Sequence, residues 1–333
     1  MAVNGDSLQY NLGSPRIMII KSWEFLIALF LTLVTLAYGY QISPPTLEIH
    51  DRSLQDSLHD RYDRLAIDPK QSNSKNHLVG VIGGIGPAAD VRFQEIVLEK
   101  DRRRRKENQL CCGGPPCGFL ADADYTPYLL YHNPKIPNNN LAVLNQGPTS
   151  LYALIDSAQA LQHAGATEIA FCCTTAYHWK DAVEKSAGIP VLDLLEQVAT
   201  RVVDRGYTRV GLLDVDGTIQ SGTFQRVLEK HGIDVVLPDP NDQQEIMQAV
   251  AGIKTDGLAD SYGSIEQLRM VAQRLVTDKH VPAIILGCTE IAAALDTSSE
   301  DFHVDIIDTL DVLADCIVHH EKMFSKDHIL VTP

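Results

Sequence analysis

Glu168-Ile169-Ala170-Phe171-Cys172-Cys173-Thr174-Thr175-Ala176-Tyr177-His178 is the stretch on which the fold turns. Its apolar start predicts the end of a buried strand, and Asp181-Ala182-Val183-Glu184-Lys185 beyond it has helical character. A second stretch has the same build. Val281-Pro282-Ala283-Ile284-Ile285-Leu286 predicts a strand, Gly287-Cys288-Thr289-Glu290 a turn, and Ile291 to Leu295 a helix. A free cysteine ordinarily packs as a small hydrophobe, and Cys172 is read that way. Cys173 and Cys288 differ, because each precedes a Thr at a strand-to-helix turn. Backbone N–H groups and the helix dipole gather at such a turn, so a lowered thiol pKa is expected at both positions.

Moving outward, strands alternate with helices from Leu78 on, which predicts an α/β fold with parallel sheets. The chain also repeats itself. Val79-Gly80-Val81-Ile82-Gly83-Gly84 corresponds to Val210-Gly211-Leu212-Leu213-Asp214-Val215, and the Cys173 turn corresponds to the Cys288 turn. Two similar half-molecules, each with a Cys at a strand's C-terminal end, would enclose a cleft, and ligands bind at such strand ends.

Composition narrows the partners. With 333 residues and 45% hydrophobic content there is material for two α/β domains and an extension. A net charge of -15 argues against nucleic acid or an acidic membrane surface as a general partner. The seven cysteines lack the regular spacing of a disulfide framework. Cys111, Cys112 and Cys117 share a Gly/Pro-rich loop with no second Cys/His cluster nearby, so no metal site is expected.

Ahead of the globular part, Phe25 to Ala37 is a continuous apolar run with Arg16 and Lys21 on its N-terminal side. Residues 1–40 are read as a signal peptide or membrane anchor, and residues 41–76, polar and broken by Pro44 and Pro45, as a linker. This reading predicts a membrane-associated or secretory location and a membrane tether; the alternative is a cytoplasmic or organellar protein.

Two other motifs compete for the function. Gly84-x-Gly86-x-x-Ala89 after a strand is a loosened dinucleotide fingerprint. Pro87 removes a helix-start N–H, and the ribose-binding acid would fall near Glu107, beside an Arg-rich run read as a solvated helix end. A tight turn at the rim of a site fits better. Asp214-Val215-Asp216-Gly217-Thr218-Ile219 matches a phosphatase nucleophile loop, but it begins well inside the chain and leaves both Cys turns unexplained.

Two thiols facing one site suit the inversion of a stereocentre next to a carboxylate. One thiolate removes a proton, the opposing thiol returns one to the other face, and no cofactor is required. Thr175, Thr289 and the turn N–H groups would stabilise the carbanion.

These residues resemble the cofactor-independent aspartate/glutamate racemase family, its aspartate racemase branch above all. Gly83-Gly84-Ile85-Gly86-Pro87 resembles the family's Gly-Gly-Met-Gly-Pro turn, and Asn133-Pro134-Lys135-Ile136-Pro137 its Asn-Pro-x-Ile-Pro loop. Cys173-Thr174-Thr175-Ala176 resembles the first catalytic Cys-Asn-Thr-Ala, Asp216-Gly217-Thr218 with Ser221-Gly222 the Gly-Thr-x-x-Ser-Gly segment, and Leu286-Gly287-Cys288-Thr289-Glu290 the second catalytic motif. The resemblance implies an isomerase, an amino-acid racemase independent of PLP and of any cofactor. Its catalytic residues would be Cys173 and Cys288, and its substrate residues Gly84, Gly86, Asn133, Asn139, Thr174, Thr175, Thr218, Thr289 and Glu290. It also implies a homodimer and two Rossmann-like α/β lobes with parallel sheets: 77–189 plus 300–333, and 190–299. Asn139 stands where the family's carboxylate-holding Arg is expected, and Thr174 where Asn is usual. The first departure predicts weak activity on aspartate and glutamate, or a less charged substrate. The alternatives are a racemase-fold isomerase or decarboxylase of a related carboxylic acid, and a catalytically silent, membrane-tethered binding relative.

Overall fold

The computed structural model describes residues 77–111, 125–295 and 304–319. The apolar run 25–37, the linker 41–76 and the loop with Cys112 and Cys117 lie outside them. Among the described residues, no helix is long and apolar enough to cross a membrane.

Two parallel sheets carry the fold. In the first, β1 (Val79–Gly83) lies between β2 (Tyr128–His132) and β3 (Glu168–Phe171), and Val191 adds a parallel bridge to Ile169 on the far side of β3. In the second, β4 (Arg209–Leu213) lies between β5 (Asp234–Val236) and β6 (Ala283–Leu286), and β7 (Asp305–Asp308) completes the far edge. Val191 in the first sheet thus answers to β7 in the second. The repeat seen in the sequence is a repeat of topology. Its central strands are buried on both faces, which is why they read as unbroken apolar runs. Gly80 in β1 and Gly211 in β4 serve the same end: a Cβ at Gly80 would meet Leu161 at 3.1 Å, and one at Gly211 would meet Leu275 at 3.5 Å, so each lets a helix lie close to its sheet.

Helices cover both sheets. They are α1 (Pro87–Cys111), α2 (Asn139–Val143), α3 (Leu151–His163), α4 (Lys180–Ala187), α5 (Leu194–Asp204), α6 (Asp216–Ser221), α7 (Thr223–Lys230), α8 (Pro240–Asp256), α9 (Tyr262–Lys279), α10 (Thr289–Ala294) and α11 (Thr309–Val318). The helices after the fourth strand positions cross over. α5 leaves the first sheet and packs on α7 and β7, while α11 leaves the second sheet and packs on α1. Asp315 of α11 ties the crossing together, bonded to Lys100 of α1 at 2.8 Å and to Arg201 of α5 at 2.6 Å. Burial pushes against its ionised form, but these two cations win and its pKa is lowered.

Residues 300–333, which the resemblance places in the first lobe, do not all join it: α11 packs there, but β7 is hydrogen-bonded into the second sheet. The boundary before Pro190 also moves, because Val191 bridges to β3. The Asn-rich loop ends at Asn138, which caps α2 by accepting the N–H of Leu141. The arginine run is solvated only in part: Arg102, Arg103 and Lys106 are exposed, but α1 continues to Cys111, Arg104 donates to the carbonyl of Val318 at 3.1 Å, and Arg105 lies over the Tyr125 ring.

Asp315→Asn is expected to destabilise the protein by roughly 1.5–3 kcal/mol near neutral pH, the cost of weakening bonds to charged groups. A carboxylate with a lowered folded pKa contributes above its unfolded value and ceases to contribute as pH falls through the folded one. The difference in thermal midpoint between variant and wild type should therefore close as pH drops below 3.8, the ordinary value. A gap of constant size down to low pH would contradict the charged role.

Candidate active site

Both cysteine turns follow the third strand of their sheet. Cys173 lies two residues past β3 and opens a 3₁₀ turn, Thr174–Trp179; Cys288 lies two residues past β6 and caps α10. The strand ends meet in a cleft of about 600 Å³, lined by both cysteines. Gly84, Gly86, Asn139, Thr174, Thr175, Thr289 and Glu290 line it as well. Two residues expected at the substrate do not. Asn133 donates to Ser157 at 3.0 Å and accepts the N–H of Lys135, so it shapes its own loop. Thr218 lies behind the cleft, where its hydroxyl shares a 2.8 Å hydrogen bond with Thr175 and joins the lobes.

Hydrogen bonds set the chemistry of the two thiols apart. Asn139 donates Nδ2–H to the sulfur of Cys173 at 3.4 Å. Cys288 instead donates its S–H to Oε2 of Glu290 at 3.2 Å. The lowered pKa expected for both is overturned: burial pushes both thiols up. For Cys173, Glu290 adds to the rise, while the N–H groups of Asn139 and Ala176 and the Lys254 ammonium oppose it. For Cys288, Glu290 and Asp214 add to the effect of burial, and Lys254 opposes it. The helical turns after the two cysteines are short, six residues each.

Glu290 is 4% exposed and forms an ion pair with Lys254 of α8. Burial works against the Lys254 ammonium, but the Glu290 carboxylate prevails and its pKa is raised. A Cβ at Gly86 would strike Oε1 of Glu290, so a glycine there leaves room for the pair. The Gly83–Pro87 turn is held by Asp90, whose carboxylate accepts the Gly84 N–H at 2.7 Å. Lys254 is the one cationic side chain among the described residues that line the cleft, and the sequence reading missed it. A signal existed: Met247, Val250, Ala251 and Lys254 all face the cleft at helical spacing, an apolar stripe of α8 ending in a lysine.

Two sequence readings are also settled by burial. Cys172 is fully buried, and burial pushes its thiol well up, as befits a packed small hydrophobe. Asp214, the nucleophile of the phosphatase reading, is sealed from solvent; burial raises its carboxyl to about 7, and it does not line the cleft. Among the described residues no cluster of His, Cys, Asp or Glu could hold a metal ion.

Like lobes that close on one cleft, each bringing a thiol, make a site that can handle one carbon atom from two faces. Residues 82–317 match the family described as Asp/Glu/hydantoin racemase, and the chain belongs to that family of isomerases. The chain is 25% identical over 239 residues to the broad specificity amino-acid racemase RacX of Bacillus subtilis, covering 71% of this chain and 95% of that one. The Picrophilus torridus aspartate racemase shares the fold with a TM-score of 0.58 at 24% identity, over 74% of this chain and 95% of the other. An aspartate racemase homologue from Pyrococcus horikoshii does so with a TM-score of 0.57 at 22% identity, over 74% and 100% of the two chains.

If both thiols are protonated in the empty site, iodoacetamide labelling of Cys173 and Cys288 should accelerate steadily with pH through the usual thiol range and above it. Peptide mapping of the labelled protein would follow each site. A plateau reached below pH 8 at either cysteine would show a lowered pKa instead.

Proposed function

We propose that the protein is a cofactor-independent amino-acid racemase in which Cys173 and Cys288 work on opposite faces of the α-carbon. The observation that carries this reading is the pair of thiols at matching strand ends of two like sheets, lining one cleft with opposite hydrogen-bond roles. Cys173 receives an N–H, which favours its thiolate; Cys288 gives its S–H to a carboxylate, which keeps it a donor.

The substrate carboxylate rests against Lys254, and the substrate ammonium compensates the charge of the Cys173 thiolate. That thiolate removes the α-proton, and the C–H electron pair passes into the carboxylate as an enediolate-like carbanion. Cys288 then gives its S–H proton to the opposite face and becomes the thiolate. The opposite enantiomer is processed by the same steps with the roles exchanged. Thr289 and the N–H groups of the two turns support the developing charge. Proton transfer by a placed group of this kind contributes roughly 100- to 10,000-fold.

Turnover in heavy water tests the mechanism. The enzyme should wash deuterium into the α-position while inverting it. Cys288→Ser should lower inversion by roughly 100-fold or more. The same variant should retain α-hydrogen exchange on the enantiomer served by Cys173. Full racemisation by this variant would overturn the two-thiol mechanism, and absence of turnover over a broad panel of acids would favour a silent binding relative.

The apolar run Phe25 to Ala37 supports a membrane tether, and the family resemblance supports a homodimer. On fractionation the full chain should sediment with membranes, and deletion of residues 25–37 should release it. A full chain recovered entirely in the soluble fraction would dispose of the tether.

A further inference from the structure

The cleft holds more space than a small acidic amino acid fills, and the character of its walls is specific. One side is the α8 stripe of Met247, Val250 and Ala251; Ile136 and Leu141 also line it, from the loop before α2 and from α2 itself. Positive charge is scarce. Lys254 is the one cation lining the cleft among the described residues, and it already faces Glu290. The three asparagines at the start of α2 are neutral, and each has one end of its amide in use. Asn138 caps the helix, Asn139 bonds Cys173, and Asn140 accepts the Gly217 N–H at 2.6 Å.

We propose that the site selects amino acids with a single carboxylate and an apolar side chain, which lies along Met247, Val250 and Ala251. This inference rests on the racemase reading and names its substrate class. Lys254, already paired with Glu290, is the single ammonium whose remaining N–H donors a substrate carboxylate can share. A second would enter beside the buried Glu290 with no further cation among the described lining residues to meet it, and an unpaired buried charge is strongly disfavoured. An apolar side chain instead replaces water on an apolar wall, at about fourfold in affinity for each methylene buried.

The test uses the full chain and two readouts. In heavy water, kcat/KM for leucine and methionine should exceed that for aspartate and glutamate by about tenfold or more. Calorimetric titration with the same amino acids should give the same order. Ala251 is exposed at the cleft, so Ala251→Arg adds a cation without disturbing the core; it should move the aspartate-to-leucine ratio toward aspartate by about tenfold. Tighter binding of aspartate or glutamate, binding of neither class, or a ratio unmoved by Ala251→Arg would each overturn the proposal. Selective binding of leucine without α-hydrogen exchange on any amino acid would uphold the pocket's class and refute the racemase reading, so the two fail separately.

Discussion

A carboxylate buried as deeply as that of Glu290 must be compensated, and much of the site follows from that requirement. Lys254 supplies the charge from a helix of the same lobe, and Gly86 supplies the space from the other lobe by having no side chain. Cys288 supplies a hydrogen. The ion pair therefore does three things at once. It fixes the one cation that lines the cleft among the described residues, packs the Gly-rich turn of the first lobe against the second, and accepts the S–H of one thiol. Removal of Lys254 would leave a buried charge without a partner, a change felt in both lobes.

Symmetry of fold coexists with asymmetry of chemistry. The two cysteines occupy equivalent positions in equivalent sheets, yet one accepts a hydrogen bond and the other donates one. A two-base reaction needs such a division at each moment, because one group must be empty when the other is loaded. The lobes are also tied directly at the cleft, by Asn140 to Gly217 and by Thr175 to Thr218. These links join the first lobe to the opening turn of α6, so the two thiols are presented from a framework and not from free loops.

The strands and both cysteine turns were legible in the sequence because parallel strands buried on two faces leave unbroken apolar runs, and the Val79-Gly80 and Val210-Gly211 pairs announced the repeat. Family membership followed from the ordered turns. The thiol pKa was misjudged because the dipole of a helix start is a local signal, whereas desolvation is set by the whole cleft. Glu290 stands only two residues after Cys288, so its effect on that thiol was within reach of the sequence. Lys254, in the last turn of α8 and far along the chain from either cysteine, was marked in the sequence only by the apolar stripe it ends, which does not name the cleft it lines. The crossing of α5 and α11 was equally hidden: short-range periodicity marks a helix face as apolar but does not name the sheet or helix that will cover it.

That crossing has a consequence for how the protein is made. α1 belongs to the opening of the globular part, yet its covering helix is α11, and the Lys100–Asp315 pair spans nearly the whole of the described chain. During synthesis from the N-terminus, the first sheet can pair as soon as β3 emerges, but one flank of α1 stays bare until residue 318 has left the ribosome. At elongation rates of roughly 5–20 residues per second, the interval between α1 and α11 is on the order of 10–40 seconds. Through that interval Lys100 of α1 awaits its carboxylate partners on α11, and that flank lies open to solvent, to chaperones and to other nascent chains. The lobes that share the chemistry are thus also bound to a shared completion: the earlier half becomes native only when the later half arrives.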